Sequence, residues 1–278
     1  MTSLFITGAT GTVGTAVVEH FLANGIYDRI VIFSRDELKQ WEMKKRLNDP
    51  RLRFFLGDVR DAPRLKRAME GVDTVVHAAA LKQIDAGHFN PHEFVKTNVD
   101  GSVNVVDAAL DNDVRRVVAI STDKAVEPTC LYGATKLVME GIVLHAKAYV
   151  GKRRTSFAVV RMGNIAGSRG SIIPYFNGLA RSGQSLPITD LGMTRYWVDQ
   201  RQVKELIHEA ISGSGEVYLP KPVAFRLKDL VEAYGVGHHI IGLRDGEKMH
   251  EKLDANSSSE HPERFLTKAE LIGATIAY

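Results

Sequence analysis

The sequence predicts an α/β fold in which a doubly wound parallel sheet is followed by a smaller C-terminal region. Three observations support this prediction. Short runs rich in Val, Ile and Phe alternate with amphipathic helical stretches through the first half of the chain, which is typical of right-handed strand–helix–strand crossovers. The strand-like runs lack alternation of apolar and polar residues, as expected for strands buried on both faces. A glycine-rich segment follows the first run and opens the first helical stretch.

The first half of the chain contains five predicted strands separated by helical patterns. The strands are expected at Leu4–Thr7, Ile30–Ser34, Leu52–Leu56, Thr74–His77 and Arg116–Ser121. The helices between them are expected at Val13–Phe21, Leu38–Leu47, Ala62–Met69 and Phe94–Leu110.

The second half is less regular. A helix is predicted at Tyr132–Tyr149, a strand at Phe157–Met162 and a glycine-rich loop at Gly163–Gly170. Further elements are expected as helices at Ile172–Ser182, Val203–Ile211 and Leu227–Ala233 and as a short strand at Glu216–Leu219. We therefore expect one domain over residues 1–163, to which the chain returns near 188–211, and a smaller region over 164–278.

The composition is that of a globular protein, with 44% hydrophobic and 25% charged residues in 278. The formal net charge of +3 is too small for a nucleic-acid-binding surface. Apolar runs such as Val72–Ala80 are too short to cross a bilayer. A single cysteine, Cys130, excludes an intrachain disulfide and fits a reducing compartment. We expect a cytoplasmic protein with no nucleic-acid or membrane partner, and we also expect a homo-oligomer.

The segment after the first strand has the spacing G-x-x-G-x-x-G, formed by Gly8, Gly11 and Gly14. Glycines allow a tight turn and a close approach of the backbone to a pyrophosphate, and the helix that follows offers unpaired N–H groups. Because the motif lies between a buried strand and an amphipathic helix, it predicts a Rossmann-type dinucleotide-binding domain. The predicted cofactor contacts in this segment are Gly8, Thr10, Gly11, Thr12, Val13 and Gly14.

The end of the second strand bears on the choice of dinucleotide. An acidic residue there usually selects NAD, whereas this strand ends at Ser34 and Arg35. An arginine can pair with the 2′-phosphate of NADP, so NADP is favoured, with NAD left open because Asp36 and Glu37 follow. The further cofactor-binding residues predicted are Asp58, Val59, Ala78, Ala79, Ala80, Asn98 and Ile165.

Tyr132 and Lys136 lie four residues apart in a predicted helix and therefore on one of its faces. A tyrosine with a pKa near 10 is a poor base at neutral pH. A neighbouring ammonium and a positively charged nicotinamide ring would favour the phenolate. This pair is therefore predicted to bind the cofactor and to remove a proton from a hydroxyl group.

The strand predicted before this helix, Arg116–Ser121, is followed by Thr122, Asp123 and Lys124. At the carboxyl end of a parallel strand, these side chains would point into a ligand crevice. A hydroxyl, an acid and an amine together indicate chemistry beyond hydride transfer. A solvated Asp–Lys pair on a loop is the alternative reading. The histidines lack carboxylate or cysteine neighbours at ligand spacing, so no metal site is expected.

The motifs Ser121-Thr122-Asp123-Lys124-Ala125 and Leu131-Tyr132-Gly133-Ala134-Thr135-Lys136 resemble those of the UDP-N-acetylglucosamine 4,6-dehydratases, in particular the C5-inverting type. These are extended short-chain dehydrogenases/reductases of bacterial polysaccharide biosynthesis. The resemblance extends over nearly the whole chain. Its other segments are 33–40, 53–61, 77–82, 160–171, 187–190, 193–197 and 242–251.

The resemblance implies a redox-neutral dehydration of a UDP-N-acetylhexosamine. Tyr132 would take the proton of the C4 hydroxyl, and Lys124 would remove the proton at C5, for which its pKa would have to be lowered by burial or nearby cations. Asp123 would protonate the departing C6 hydroxyl, and hydride would return to C6. The residues implied in binding the UDP-sugar are Lys82, Asn164, Arg169, Arg195 and Arg244. Residues 1–163 would then bind NADP, and 164–278 mainly the nucleotide sugar.

The sequence also departs from the family pattern. Glu127 and Cys130 replace usual asparagines close to Tyr132. These departures leave two other enzyme functions open. The reaction could stop at a 5,6-ene product, or the protein could be a UDP-sugar C4 epimerase or reductase. An NADP-binding sensor without catalysis is the non-enzyme alternative, although such a protein usually lacks the Tyr132/Lys136 pair. Arg195, beside Tyr196 and Trp197, could equally be a stacking or surface residue.

Overall fold

A computed structural model of the chain describes residues 1–277. The first half alternates strands and helices at the predicted places, except that a π-helical turn divides the helix predicted at Phe94–Leu110 and that a short helix not predicted from the sequence precedes it. Its elements are β1 (Ser3–Thr7), α1 (Thr12–Asn24), β2 (Arg29–Ser34), α2 (Glu37–Leu47), β3 (Leu52–Leu56), α3 (Ala62–Ala68), β4 (Thr74–His77), α4 (Ile84–Phe89), α5 (Pro91–Val95), a π-helical turn (Lys96–Asp100), α6 (Gly101–Asp111) and β5 (Arg116–Thr122).

The second half contains the predicted elements and several shorter ones that the sequence pattern did not reveal. Its elements are α7 (Leu131–His145), β6 (Ser156–Met162), β7 (Asn164–Ile165), α8 (Ile172–Arg181), β8 (Leu186–Ile188), β9 (Thr194–Val198), α9 (Gln200–Ser212), β10 (Val217–Tyr218), β11 (Val223–Arg226), α10 (Leu227–Tyr234), β12 (His238–Ile240), β13 (Arg264–Phe265) and α11 (Lys268–Ala277). Single turns of 3₁₀ helix follow β5 and α7.

The predicted doubly wound parallel sheet is confirmed. Within residues 1–277 it has seven strands in the order β10-β6-β5-β4-β1-β2-β3. The central strand β1 pairs in parallel with β2 on one side and with β4 on the other. The strand order therefore reverses at β1, and ligands of such sheets bind at the carboxyl ends of the strands beside this point.

The chain forms two compact units. Unit 1 comprises Met1–Ser121, Thr135–Val160 and Lys204–Tyr218, and unit 2 comprises Thr122–Ala134, Arg161–Val203 and the described chain from Leu219 onward. This grouping does not follow a single cut after residue 163, because the segment between β5 and α7 groups with unit 2 and most of α9 groups with unit 1. The division of functional roles between 1–163 and 164–278 stays a prediction.

Unit 1 is built on a core formed by the sheet and the helices that cover it. Phe5 of β1 is fully buried and its ring lies 5.3 Å from that of Phe33 in β2. Leu65 of α3, Val105 of α6 and Met139 of α7 belong to the same apolar cluster. Apolar residues on both faces of the strands explain why the runs lacked alternation.

Unit 2 has its own core. A mixed sheet in the order β13-β11-β9-β7 pairs β9 antiparallel with β11 and parallel with β7. Trp197 of β9 and Phe225 of β11 meet edge to face with ring centroids 5.8 Å apart. Leu230 of α10 and Leu271 of α11 are fully buried in the same cluster.

We expect the substitution Phe5→Ala to lower the free energy of unfolding by about 3 to 5 kcal/mol, because it leaves a cavity beside Phe33 in a close-packed core. Phe89→Ala is the matched control, since the Phe89 side chain at the end of α4 is 87% exposed. The control should change the unfolding free energy by less than about 0.5 kcal/mol. Urea unfolding measures both, and equal effects would contradict the assignment of Phe5 to the core.

Candidate active site

The connection between β1 and α1 brings backbone unusually close to backbone. Gly8 has a positive φ of 63°, and a Cβ atom there would lie 2.8 Å from the carbonyl oxygen of Ala78. A Cβ atom at Gly14 would lie 2.5 Å from the carbonyl oxygen of Gly8. Glycine is therefore required at both positions. Gly11 caps the helix without a side chain, so the first turn of α1 presents backbone amides at the positive end of its dipole.

The register of unit 1 aligns the carboxyl ends of four strands. Thr7 at the end of β1 lies opposite Phe33 in β2 and His77 in β4, and Ser34 in β2 lies opposite Leu56 in β3. The residues that follow these strand ends include Gly8, Arg35, Asp58, Val59, Ala78, Ala79 and Ala80. The structure thus places these predicted cofactor-binding residues along one edge of the sheet.

A chain of buried hydrogen bonds fixes this edge. Ser102 Oγ donates to the carbonyl oxygen of Asn98 at 2.6 Å and therefore accepts from His77 Nε2 at 3.0 Å. His77 Nδ1 then accepts from Thr7 Oγ1 at 2.7 Å. Burial lowers the pKa of His77 to about 3, with a further contribution from the Lys136 charge, so this imidazole stays neutral. Its role is to join β1 and β4 to the helical segment that carries Asn98.

The Asn98 side chain lies in the π-helical turn Lys96–Asp100 and is almost fully buried. Its Oδ1 accepts from the backbone N–H of Leu81 at 2.8 Å, and its Nδ2 donates to the carbonyl oxygen of Leu81 at 2.9 Å. Nδ2 also lies 3.0 Å from Thr135 Oγ1 in α7. Asn98 therefore holds the backbone that follows β4 and contacts the helix that carries Lys136.

The residues that bear on cofactor choice form an ion-pair group. Asp58 Oδ2 accepts from Arg60 Nη2 at 2.6 Å and lies 3.4 Å from Arg35 Nη1. Burial alone would raise the pKa of Asp58, but Arg60 and Arg35 hold it below its usual value. The Arg35 side chain is 53% exposed. Ser34, in contrast, is buried, and its Oγ accepts from Gln40 at 3.0 Å.

A cluster of proton-transfer groups lies in unit 2, in the 3₁₀ turn after β5. Thr122 Oγ1 donates to Asp123 Oδ1 at 2.9 Å, and Lys124 Nζ donates to the same oxygen at 3.1 Å. The Asp123 side chain is 1% exposed and that of Lys124 is 20% exposed. In residues 1–277 no hydrogen-bond donor reaches the buried Asp123 Oδ2. The solvated-loop reading of this pair is wrong, because both side chains turn inward.

A second carboxylate, Glu251, meets Lys124 from the C-terminal part of unit 2. Its Oε1 lies 3.2 Å from Lys124 Nζ, and its Oε2 lies 3.1 Å from Lys248 Nζ. The Glu251 residue is 2% exposed. Sequence reasoning missed it, although it ends the segment 242–251 on which part of the family resemblance depended.

The pKa values in this cluster move in different directions. Burial raises the pKa of Asp123, and the Glu251 charge raises it further against the opposing effect of Lys124. Burial would lower the pKa of Lys124, but Asp123 and Glu251 outweigh it and raise that pKa above its ordinary value. The pKa of Glu251 is lowered, because Lys124, Arg195 and Lys248 together outweigh its burial. The expectation of a lowered Lys124 pKa is therefore wrong for the protein alone.

Helix α7 carries Tyr132 and Lys136 one turn apart, as the spacing predicted. Burial raises the pKa of Tyr132 to about 12, and of the charges around it Lys124 lowers the pKa while Asp123 raises it. The phenol is therefore neutral at neutral pH in the protein alone. Burial lowers the pKa of Lys136 to about 8, against the opposing charge of Glu140. Glu140, a buried residue one turn further along α7, is a second residue that sequence reasoning missed.

The residues predicted to bind the UDP-sugar occupy different environments. Arg195 is buried in β9, where Nη1 donates to the carbonyl oxygens of Thr194 at 2.8 Å and Met249 at 3.1 Å. Its Nη2 lies 3.5 Å from Glu247 Oε1, so a surface role for Arg195 is excluded. The remaining predicted residues are Asn164, beside Ile165 in β7, and the exposed Lys82 of unit 1 and Arg169 and Arg244 of unit 2.

The two departures from the family pattern that lie close to Tyr132 precede α7. Glu127 has a positive φ of 48° and an exposed side chain that pairs with Lys252 at 2.7 Å. The sulfur of Cys130 accepts from the backbone N–H of Gly133 at 3.5 Å. Both residues thus contact other residues of unit 2.

None of the helices described over residues 1–277 combines the length and the apolar composition that a membrane-spanning helix requires.

The model of the polysaccharide biosynthesis protein family matches residues 4–270 of the chain. The chain belongs to this family. Among curated relatives, it is 43% identical over 263 residues to the inverting UDP-N-acetylglucosamine 4,6-dehydratase of Campylobacter jejuni subsp. jejuni serotype O:2, covering 92% of this chain and 78% of that protein. It is also 40% identical over 262 residues to the UDP-glucose 4-epimerase of Rickettsia rickettsii. This alignment covers 90% of this chain and 77% of that protein.

Solved structures of similar fold include Pen from Bacillus thuringiensis, with a TM-score of 0.93 and 30% identity over 100% of this chain and 98% of that one. Another is DesIV, the dTDP-glucose 4,6-dehydratase of Streptomyces venezuelae, whose structure was determined with NAD and TYD bound. Its TM-score is 0.84 and its identity 24%, over 99% of this chain and 96% of that one. These similarities agree with the Rossmann-type fold predicted from the sequence.

We expect the two site lysines of this family member to titrate far apart. In protein labelled with ¹³C at the lysine Cε atoms, the Lys136 signal should move with a midpoint near its pKa of about 8. The Lys124 signal should stay that of an ammonium as the pH is raised from neutral to about 10, because its pKa lies above the ordinary lysine value. Lys136→Arg and Lys124→Arg assign the two signals. A shared midpoint near the ordinary value would contradict the described burial and pairing.

Proposed function

We propose that the protein is a UDP-N-acetylglucosamine 4,6-dehydratase, with inversion at C5. The observation that carries this proposal is the buried acid–amine pair Asp123 and Lys124, which accompanies the Tyr132/Lys136 pair. Removal of water across C5 and C6 requires a base for the C5 proton and an acid for the C6 hydroxyl. The 43% identity to the Campylobacter jejuni dehydratase supports the same substrate and reaction.

The residues of unit 1 fit a nicotinamide dinucleotide. Glycine at positions 8 and 14 lets the backbone pack closely, and the uncapped amides of α1 suit a pyrophosphate. The NAD bound to DesIV, a protein of similar fold, is consistent with this reading. These residues of unit 1 would hold the dinucleotide, which would supply hydride-transfer chemistry to C4 and C6 of the sugar. Arg35 favours NADP, because its half-exposed guanidinium can pair with a 2′-phosphate.

Tyr132 is the residue proposed to receive the proton of the C4 hydroxyl. In the protein alone its phenol is neutral, with a pKa of about 12. Positive charge placed near it lowers the pKa of a phenol, as Lys124 already does here. Lys136, on the same face of α7, is assigned to the cofactor, and the Thr122 hydroxyl, which donates to Asp123, orients the acid.

Lys124 and Asp123 are proposed to act at C5 and C6 as a pair. Their Nζ and Oδ1 atoms are 3.1 Å apart, within the distance for direct proton transfer. Movement of one proton from the ammonium to the carboxylate gives a neutral amine and a protonated acid at once, with no change in total charge. Desolvation penalises both charged forms and so lowers the cost of reaching this neutral pair, although Asp123 and Glu251 keep Lys124 an ammonium before substrate binds. The free Asp123 Oδ2 is then available to the sugar hydroxyl.

The UDP group is proposed to contact basic and polar residues, which are Lys82, Asn164, Arg169, Arg195 and Arg244. A diphosphate carries about two negative charges and binds arginine strongly. Arg195 is already desolvated, so its burial on binding costs little, but its Nη1 donates to backbone carbonyls and only its remaining N–H groups could reach the UDP. A cytoplasmic location and a homo-oligomeric state stay predictions from the sequence.

A UDP-sugar 4-epimerase is the second candidate, supported by the 40% identity to the Rickettsia rickettsii epimerase. An epimerase needs proton transfer only at the C4 hydroxyl, which Tyr132 could perform. It has no use for an acid and a base at C5 and C6. The inward-facing Asp123 and Lys124 therefore favour the dehydratase.

Arg35→Ala should weaken NADP binding about tenfold, because a charge-assisted contact to the 2′-phosphate is lost. Binding of NAD should change less than about twofold, since NAD carries no phosphate there. Titration calorimetry with both dinucleotides measures this difference. Arg46→Ala, which removes a half-exposed arginine of α2, is the matched control. Equal losses for NADP and NAD in Arg35→Ala would reject the assigned preference.

The purified protein, given UDP-N-acetylglucosamine in deuterated water, should form a product that has lost one water and carries deuterium at C5, with no net consumption of cofactor. Lys124→Ala should abolish C5 exchange while retaining the dinucleotide, because the base is removed and the glycine-rich loop is not. Lys66→Ala, an exposed lysine of α3, is the matched control. Mass spectrometry and NMR identify the product, and conversion to the galacto isomer alone would favour the epimerase.

A further inference from the structure

Lys124 is held between two carboxylates. Its Nζ lies 3.1 Å from Asp123 Oδ1 and 3.2 Å from Glu251 Oε1. Both carboxyl groups are almost fully buried, with side-chain exposures of 1% and 3%. One ammonium cannot fully neutralise two buried carboxylates, so the surroundings must decide which of the two carries a proton.

The surroundings treat the two carboxylates differently. Glu251 has a second cation, because Lys248 Nζ lies 3.1 Å from its Oε2. Asp123 has no second cation at hydrogen-bond distance within residues 1–277. Its Oδ2 receives no hydrogen bond from the described chain, and the same holds for Glu251 Oε2, so the difference lies in the Lys248 charge. Glu251 is thus the carboxylate suited to remain charged, and Asp123 is the one suited to accept a proton.

The backbone of Glu251 is also fixed firmly. Its N–H donates to Ser259 Oγ at 2.8 Å, and its carbonyl oxygen accepts from the N–H of Ser259 at 2.8 Å. The Ser259 hydroxyl in turn lies 2.8 Å from Thr194 Oγ1, in the strand that carries Arg195. Lys248 Nζ donates to the carbonyl oxygen of Val126, which follows the Asp123–Lys124 turn. These bonds hold the carboxylate at a set position beside Lys124.

We propose that Glu251 is a positioning residue that holds the Lys124 amine against Asp123 and sets the pH range in which that pair keeps its protons. This inference builds on the proposed dehydratase function. In this proposal Glu251 acts through Lys124, whose Nζ it contacts, and not on the sugar itself. Its negative charge raises the pKa of both Asp123 and Lys124. The charged or titratable groups that face the pair are Glu251, Lys248, Arg195, Tyr132 and Tyr196.

The first test needs no substrate. In protein labelled with ¹³C at the aspartate carboxyl groups, Asp123→Asn identifies the Asp123 signal. Glu251→Gln should lower the pH midpoint of that signal by about one unit, because a negative charge is removed from its neighbourhood. Glu251→Asp, which keeps the charge, should restore the midpoint. Glu260→Gln removes an exposed carboxylate of the same region and should leave the midpoint unchanged.

The second test uses turnover. In Glu251→Gln, the pH profile of C5 deuterium exchange should move to lower pH by about one unit, because the pKa of the acid and that of the amine both fall. Binding of the dinucleotide should be unaltered. An unchanged Asp123 midpoint in a folded Glu251→Gln protein would overturn the inference, and so would a Glu251→Asp protein that behaves like Glu251→Gln. If the unsubstituted protein performs no dehydration, the proposed function fails, while the carboxyl titration still decides the role of Glu251.

Discussion

The burial of an ammonium between two carboxylates is the interaction on which the proposed chemistry depends. An isolated Asp–Lys pair contains only one carboxylate, and a solvated cluster would leave two carboxylates with similar pKa values. In unit 2 the desolvation of Asp123 favours its neutral form, whereas the two lysines around Glu251 favour its charged form. The same cluster therefore contains an acid that can hold a proton and a counter-ion that keeps its charge.

The glycine-rich connection in unit 1 depends on close backbone packing and not on ion pairs. Its function depends on the absence of side chains, since a methyl group at position 14 would overlap the carbonyl oxygen of Gly8. The parallel register then aligns the ends of β1, β2, β3 and β4, and the buried His77 joins two of them through Thr7 and Ser102. Close backbone packing and hydrogen bonds between neutral groups therefore fix the strand ends of unit 1, whereas ion pairs fix the cluster around Lys124.

Much of this could be predicted from sequence because it is local. The strands of the first half are short apolar runs with clear helices between them, and Thr122, Asp123, Lys124 and Tyr132 lie close together in the chain. Glu251 could not be found in this way, because its partner is distant in sequence and nothing local indicates burial. Strand β9 was missed for a related reason. Its five residues are all buried, yet they include Arg195, whose charge is satisfied by backbone carbonyls that only the folded chain supplies.

The π-helical turn that carries Asn98 makes this part of the chain sensitive to length. A π turn contains one residue more than the α-helical turn it replaces. Loss of a single residue from Lys96–Asp100 would restore an ordinary α-helical turn, so the segments on either side could keep their places. The extra residue is what sets the local backbone around Asn98, whose side chain binds both the N–H and the carbonyl oxygen of Leu81. A deletion of one codon here would therefore act on the Leu81 backbone first and on the rest of the helix least.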